Sequence, residues 1–427
     1  MYVENSFHIC KVINIFSTFA KFDNLTQKYM NFKAIILSAL AVCVSTAASA
    51  QFNIIGGGAK YEFTTIKENP ITSIKNQYRS GTCWCFSALS FIESEILREK
   101  GDTVDLSEMF VVGKSYRDRA VKYVRLDGHL NFGAGSSFGD VLHVIKDYGI
   151  VPQDVMPGMN YGTEMPEQAE LDEGLKGYVE AIAKNPNKKL TTAWLNGFDG
   201  IVEAYLGEYP ETFNVGNKTF TPEEYRDYLG INPDDYVNLS SFTHHPFYSQ
   251  FIIEVPDNWR WDTAYNLPID ELMEVMYNAI EKGYTIAWGS DVSEKGFTRS
   301  GVATMPVEKK KAAAGSDQEK WVGKSTEEKT EEAPKPELPE ELIATQEMRQ
   351  DAYDRKQTTD DHGMHIYGLA QDQNGTKYFM VKNSWGEAGK YKGTWYASDA
   401  FVRYKTMNVV VHKDALPKDI KKKLGLK

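Results

Sequence analysis

Cysteine is scarce in this chain of 427 residues, which has only four. Cys10 and Cys43 lie in an N-terminal region with the features of a targeting segment, so the mature protein keeps Cys83 and Cys85. A disulfide between two cysteines that flank a single residue would be strained. We therefore expect a fold without structural disulfides.

Long apolar runs and positive charge are also in short supply. Beyond residue 50, no apolar run reaches the roughly 20 residues that a transmembrane helix needs, and we expect no such helix. Lysine and arginine number 48 against 59 aspartates and glutamates, which gives a formal net charge of −11. This acidic balance argues against nucleic acid or an anionic membrane surface as the main partner.

The first 50 residues carry the pattern of a secretory signal peptide that starts at Met30. A lysine, an apolar run and small residues follow Met30 and end at Ala50. This order is typical of an export signal with a cleavage site at its end. Residues 1–29 do not fit the signal, which leaves open whether Met1 or Met30 is the true start. We expect cleavage near Ala50 and a periplasmic or extracellular protein.

A cysteine stands at the start of a helical pattern in the mature chain, 51–427. Apolar residues follow Cys83 at helical spacing until Gly101 ends the run. The positive end of a helix dipole lowers the pKa of a cysteine and favours the nucleophilic thiolate. Gln77, six residues earlier, can offer a side-chain amide to a developing oxyanion. Cys85 is expected to point into the packing.

A second set of polar residues lies near the C-terminus. His362 precedes an apolar, strand-like run, an Asn-Gly turn signal follows at 374–375, and the return strand leads to Asn383. Such a hairpin brings His362 and Asn383 side by side. A nucleophilic cysteine needs a base, and the base needs an orienting group. We predict these roles for His362 and Asn383, whereas His365 lies inside the strand.

Together these residues resemble the papain family of cysteine peptidases. The order Gln77, Cys83, His362, Asn383 matches that family, and so do the tryptophan after Cys83 and the one at Trp385. The resemblance implies hydrolysis of a peptide bond by Cys83, with no metal or organic cofactor. It places Gln77 and the backbone N–H of Cys83 in the oxyanion hole.

The resemblance also implies residues that contact the substrate. In the papain family, a pair of glycines before a helix borders the bound peptide, and the matching pair here is Gly135 and Ser136. The serine changes the shape expected of that subsite. Trp385 is expected to shield the hydrogen bond between His362 and Asn383.

Several features point to the bleomycin hydrolase and aminopeptidase C branch of the family. His362 follows Cys83 at a much greater distance along the chain than in a simple papain domain. The stretch before Cys83 leaves no room for a long inhibitory propeptide, and structural disulfides are not expected. This branch implies an aminopeptidase that acts on peptides, assembles as a hexameric homo-oligomer and blocks its cleft with its C-terminal tail, which here ends at Lys427.

The implied fold is a papain-like α+β fold of two lobes. A helical lobe begins at Cys83, and a β-barrel-like lobe holds His362, with the cleft between them. The aromatic and acidic region 153–285 is expected to be a large helical insertion. The charged segment 306–348 is poor in aromatic residues and is expected to be a flexible loop.

Other readings of the site stay open at this point. One is an endopeptidase with an open cleft on the same fold, and another is a catalytically silent binding protein. A zinc site is conceivable by residue type, but it would leave the glutamine and the asparagine without a role; its ligands would be Cys83, Cys85, His362 and His365. His244 and His245 have no ligand partners at metal spacing and are expected to be surface residues.

Overall fold

The computed structural model describes residues 61–186, 189–307 and 338–426. The α-helices in this part of the chain are α1 (Cys83–Lys100), α2 (Glu108–Arg125), α3 (Phe138–Tyr148), α4 (Ala169–Ala183), α5 (Ala193–Leu206), α6 (Pro222–Leu229), α7 (Ile269–Glu281), α8 (Gln346–Asp354), α9 (Asp399–Lys405) and α10 (Lys418–Lys423). The strands are β1 (Thr64–Glu68), β2 (Phe213–Val215), β3 (Lys218–Phe220), β4 (Tyr236–Ser240), β5 (Gln250–Ile252), β6 (Thr263–Asn266), β7 (Ile286–Ser290), β8 (Val302–Ala303), β9 (His362–Gln371), β10 (Lys377–Lys382), β11 (Thr394–Ser398) and β12 (Thr406–His412).

One large sheet runs through the molecule in the order β5-β6-β4-β12-β7-β9-β10-β11-β8, and β1 also pairs with β9. Most neighbours are antiparallel, whereas β4 with β6 and β11 with β8 are parallel. The α+β class is confirmed. The expected barrel is corrected, because in the described residues β5 and β8 form the two ends of an open sheet.

The region 153–285 departs from the expected helical insertion. It contributes α4, α5, α6 and α7, but it also contributes β4, β5 and β6 to the large sheet. These strands extend the sheet beyond β12 and end at β5. Alternation of apolar and polar residues in the three short strands is too brief to identify them from the sequence.

Two large apolar clusters form the core, one among α1 to α6 and the other between the sheet and α7, α9 and α10. The helix α1 is buried over most of its length, from Trp84 to Ile96, and packs against β9. It ends as predicted at Gly101, whose φ of 74° suits glycine. The N-terminal end of α1 is thereby fixed beside the start of β9.

The segment 306–348 is partly described, since residues 308–337 lie outside the described residues, as does the predicted signal region. At its described ends, Pro306 forms a β-bridge with Glu341, and the N–H of Val307 donates to the carbonyl of Glu340 at 2.8 Å. The helix α8 begins before the segment ends. These ends therefore belong to the packed fold. None of the described helices is both long and apolar enough to cross a membrane.

Candidate active site

Cys83 is the first residue of α1 and lines a cleft together with Trp84, His362 and Gly363. The carbonyl of Thr82 accepts the N–H groups of Cys85 and Phe86, so the helix begins where the sequence predicts. Although Cys83 is only partly buried, desolvation in the cleft raises the pKa of its thiol to about 12. Burial thus outweighs the helix dipole, and the free protein favours a neutral thiol.

His362 and Asn383 are brought together by the β9–β10 hairpin, which confirms that prediction. His362 Nε2 lies 2.9 Å from Asn383 Oδ1, and that oxygen also accepts the N–H of Ser384 at 2.8 Å. The amide oxygen is therefore the acceptor, Nε2 carries the proton, and Nδ1 is left as the basic atom. Burial lowers the pKa of His362 to about 4, although the bond to Asn383 opposes the shift.

Trp385 lies against the imidazole of His362. The two rings stack with 4.8 Å between centroids and 26° between planes. Trp385 meets Trp395 edge-on, and Trp395 stacks on Phe297. One face of the imidazole is therefore covered by an aromatic group.

Gln77 is held by the residue that follows Asn383. Its Oε1 accepts the hydroxyl of Ser384 at 2.5 Å, and its Nε2 donates to the carbonyl of Ser80 at 2.8 Å. The second proton on Nε2 stays available for another acceptor. Gln77 is not among the residues that line the cleft, so its part in an oxyanion hole stays a prediction. Sequence reasoning gave Ser384 no role, although it lies between Asn383 and Trp385.

Gly135 and Ser136 both line the cleft, as expected of substrate-binding residues. The hydroxyl of Ser136 donates to Asp140 at 2.5 Å and accepts the indole N–H of Trp259 at 2.8 Å. The serine thus links the start of α3 to the segment that contains Trp259. Gly135 lies so close to Asp257 that a Cβ added there would be 2.1 Å from Asp257 Oδ2.

Carboxylates that sequence reasoning did not assign to the site line the same cleft, at Asp257, Asp360 and Asp361. No lysine or arginine is among the described residues that line it. Burial raises the pKa of Asp360 to about 7, with the charges of Asp257 and Asp361 as further causes. Burial also raises the pKa of Asp361 to about 6. In the sequence, Asp360 and Asp361 stand directly before His362. This position could have identified them as residues of the site.

The other candidate ligands of the conceivable zinc site point into the core. His365 is fully buried, with Nδ1 2.9 Å from the hydroxyl of Ser90. Cys85 is fully buried as well, and its thiol donates to the carbonyl of Glu108. These two residues therefore do not join Cys83 and His362.

The fold and the site define a papain-like cysteine peptidase. A profile of the Peptidase C1-like family matches residues 108–327 and 341–426, and a profile of the papain family of cysteine proteases matches residues 59–118. The chain belongs to the Peptidase C1-like family. Gln77 and Cys83 fall within the papain match, whereas His362 and Asn383 fall within the other.

Curated relatives and a solved structure resemble the chain over most of its length. Aminopeptidase G of Lactobacillus delbrueckii subsp. lactis is 23% identical over 89% of this chain and 90% of the relative. Aminopeptidase C of the same organism is 24% identical over 82% of this chain and 81% of the relative. The crystal structure of PepW from Lactobacillus rhamnosis HN001 is 18% identical and aligns with a TM-score of 0.64 over 92% of this chain and 93% of that one. This structural likeness confirms the fold.

Proposed function

We propose that the protein is a thiol aminopeptidase, which removes residues from the free N-terminus of peptides. Cys83 is the nucleophile, His362 the base and Asn383 the group that orients the imidazole. The arrangement of His362 and Asn383 beside Cys83 at the head of α1 supports these roles. The relatives named aminopeptidases support the same reaction class.

In the proposed reaction, the sulfur of Cys83 attacks the peptide carbonyl while its proton passes to Nδ1 of His362. The oxyanion accepts hydrogen bonds from the Gln77 amide and the Cys83 backbone N–H. His362 then protonates the leaving amine, and water hydrolyses the thioester. Desolvation raises the pKa of the thiol and lowers the pKa of the imidazole, and both shifts favour the uncharged form of the group in the free protein.

The observation that carries the choice of an aminopeptidase is the carboxylate of Asp257 beside Gly135. This carboxylate lies against the glycine and lines the cleft that also contains Cys83, where it would obstruct further substrate residues. Its charge attracts an α-ammonium group, and Asp360 in the same cleft adds to the field. A peptide that ends there with a free amine is therefore favoured over one that continues.

The C-terminal tail also supports a closed cleft. Leu426 lines a neighbouring pocket together with Asn238 and Asp262. Asn238 and Asp262 also line the active-site cleft. The described end of the chain thus comes close to the cleft, which fits a tail that limits how far a substrate extends.

Export and self-assembly complete the proposal. The signal pattern that ends near Ala50 supports a periplasmic or extracellular protein. The resemblance to the bleomycin hydrolase branch supports a hexamer, which light scattering on the mature chain would measure directly.

The test uses two matched fluorogenic peptides, one with a free N-terminus and one acetylated, in the presence of a thiol reductant. We expect cleavage of the free peptide alone, and none by Cys83→Ala. Equal cleavage of both peptides would instead define an open-cleft endopeptidase. If neither is cleaved although Cys83 reacts with thiol reagents, the silent binding protein becomes the better description.

The variant Asp257→Asn tests the carboxylate, because it keeps the shape and removes the charge. A hydrogen bond to a charged group contributes about 1.5–3 kcal/mol, so KM for the free peptide should rise by about tenfold or more, with kcat nearly unchanged. An unchanged KM would show that Asp257 does not bind the α-ammonium group.

A further inference from the structure

Three side chains with metal-binding atoms converge on the surface, away from Cys83. They are His244 and His245, which follow β4, and Glu254, which follows β5. His244 Nε2 lies 3.1 Å from one carboxylate oxygen of Glu254, and His245 Nε2 lies 3.1 Å from the other. The expectation that these histidines lack ligand partners is therefore wrong. The sequence could not show it, because the sheet brings Glu254 to them.

The rings are held in place by aromatic packing. His244 stacks on Tyr353, with 5.5 Å between centroids and 21° between planes. His245 stacks on Phe251, with 4.8 Å and 30°. Tyr353 also donates its hydroxyl to the backbone carbonyl of Glu254 at 3.1 Å. The donor atoms are therefore presented by groups with little freedom to turn away.

Gln350 on α8 supports His244 from behind. Its Nε2 lies 3.1 Å and its Oε1 lies 3.4 Å from His244 Nδ1. Oε1 also accepts the N–H of Thr243, and Nε2 also donates to Asp354. In the metal-free protein, Nδ1 of His244 accepts from Gln350 Nε2, and Nε2–H of His244 donates to the carboxylate of Glu254. A bound ion would replace the proton on Nε2, and a proton on Nδ1 could then donate to Gln350 Oε1. A metal-bound histidine usually makes such a hydrogen bond through its other nitrogen.

Among the described residues, the carboxylate of Glu254 pairs with His244 and His245 and with no lysine or arginine. A second group of potential ligands, Glu95, Glu99 and His412, differs in this respect. There Arg98 already pairs with both glutamates. The cluster at Glu254 has no such built-in cation.

We propose that His244, His245 and Glu254 form a binding site for a divalent zinc ion. Two imidazole nitrogens and one carboxylate are a ligand set that zinc takes with water in the fourth position. Imidazole donors favour zinc over calcium or magnesium, which prefer oxygen. The site is open to solvent, since all three side chains are partly exposed.

A bound zinc ion would stabilise one wall of the active-site cleft. Ile253 and Val255, on either side of Glu254, both line that cleft. Through Gln350 the site is tied to α8, the last helix before His362. A bound ion would therefore hold these segments together without contacting the reacting atoms.

Binding is tested on the full chain carrying Cys83→Ala, because the pair Cys83 and His362 could itself capture zinc. Calorimetric titration of the metal-free protein with zinc chloride should show one ion per chain. Calcium and magnesium chloride, titrated in the same way, should give no binding. Cobalt(II) should give the visible absorption bands of a four-coordinate ion.

Matched variants locate the ion. In the same background, His245→Ala and the isosteric Glu254→Gln should each weaken zinc binding by at least tenfold, and Gln350→Ala should weaken it less. The exposed histidine His129, changed to alanine, should have no effect. Absence of zinc binding, or binding that survives both His245→Ala and Glu254→Gln, would overturn the proposal. Circular dichroism of Glu254→Gln checks that the variant is folded.

Discussion

His362 is the residue whose ionisation should limit the chemistry at acid pH. Burial lowers the pKa of its imidazole to about 4, against about 6.5 for an unperturbed histidine. Above pH 4 the ring is neutral and can accept the proton of Cys83, whereas below it the ring is already protonated. Alkylation of Cys83 by the uncharged reagent iodoacetamide, with His362 as the base that accepts the thiol proton, should therefore slow more steeply as pH falls below about 4.

The reagent is chosen because it carries no charge that the carboxylates of the cleft could attract. Cys85 is fully buried, and Cys83→Ala measures any residual reaction there. If the steeper decline instead begins near pH 6.5, the lowered pKa of His362 is contradicted. Circular dichroism across the same pH range separates loss of reactivity from unfolding.

Asp360 should add a second ionisation, visible only with a charged substrate. Burial raises its pKa to about 7, and the nearby Asp257 and Asp361 contribute to the shift. As pH rises through 7, Asp360 gains its negative charge and should improve binding of an α-ammonium group. We expect KM for the free peptide to fall as pH rises from about 6 to 7.5, before the α-ammonium group itself loses its proton at about pH 7.7–8.0. The variant Asp360→Asn should lose this dependence.

Gln77 should act on the transition state and not on substrate binding. Removal of one oxyanion donor costs about 100- to 1,000-fold in kcat, and we expect Gln77→Ala to show such a loss with little change in KM. Ser384→Ala, which removes the hydroxyl that holds Gln77 Oε1, should lose less. If Gln77→Ala retains its kcat, the amide does not serve the oxyanion.

At the scale of elements, α1 and α2 are joined by a buried ionic network around Lys75. Its ammonium group lies 3.1 Å from Glu93 of α1 and 2.6 Å from Glu108 of α2, and both carboxylates are nearly inaccessible to solvent. Loss of one partner leaves a buried charge uncompensated, at a cost of about 3–5 kcal/mol. Lys75→Met should therefore lower the free energy of unfolding in urea by that amount at pH 7.

The stability loss in Lys75→Met should depend on pH, because the buried carboxylates can take up protons. Burial raises the pKa of Glu108 to about 7 even with Lys75 present, so its neutral form becomes accessible as pH falls. The variant should lose less stability at pH 5 than at pH 7. Lys146→Met, which breaks the exposed pair with Asp234, serves as the control and should change stability by less than about 1 kcal/mol. Equal losses in both variants would contradict the argument.

Local patterns explain which elements could be predicted from the sequence. Helical spacing and a terminal glycine predicted α1, and an Asn-Gly turn predicted the β9–β10 hairpin, because both depend on neighbours within a few residues. The pairing of β4 with β12 joins Leu239 to Val409. Contacts of that kind depend on the packing of the whole chain, which a single sequence does not display.

At the scale of the whole molecule, the active site shows the same difference between short local motifs and contacts that depend on the packing of the whole chain. Cys83, His362 and Asn383 stand in short motifs and could be predicted. Asp257 stands in no motif, and only the path of the chain past β5 brings its carboxylate to Gly135. The chemistry was therefore readable from the sequence, whereas the features that select a substrate were not.

The C-terminal tail offers a test of substrate selection at this scale. Ile420 and Leu424 are buried in the core, so a deletion that begins at residue 420 would disturb the fold. Deletion of residues 425–427 leaves both in place and removes Leu426 from the pocket beside the cleft. If the tail limits the cleft, cleavage of the acetylated peptide should rise by about tenfold, a barrier change of about 1.4 kcal/mol. Leu426→Ala keeps the chain length and should have a smaller effect. Unchanged discrimination between the two peptides would leave Asp257 as the group that imposes the requirement for a free N-terminus.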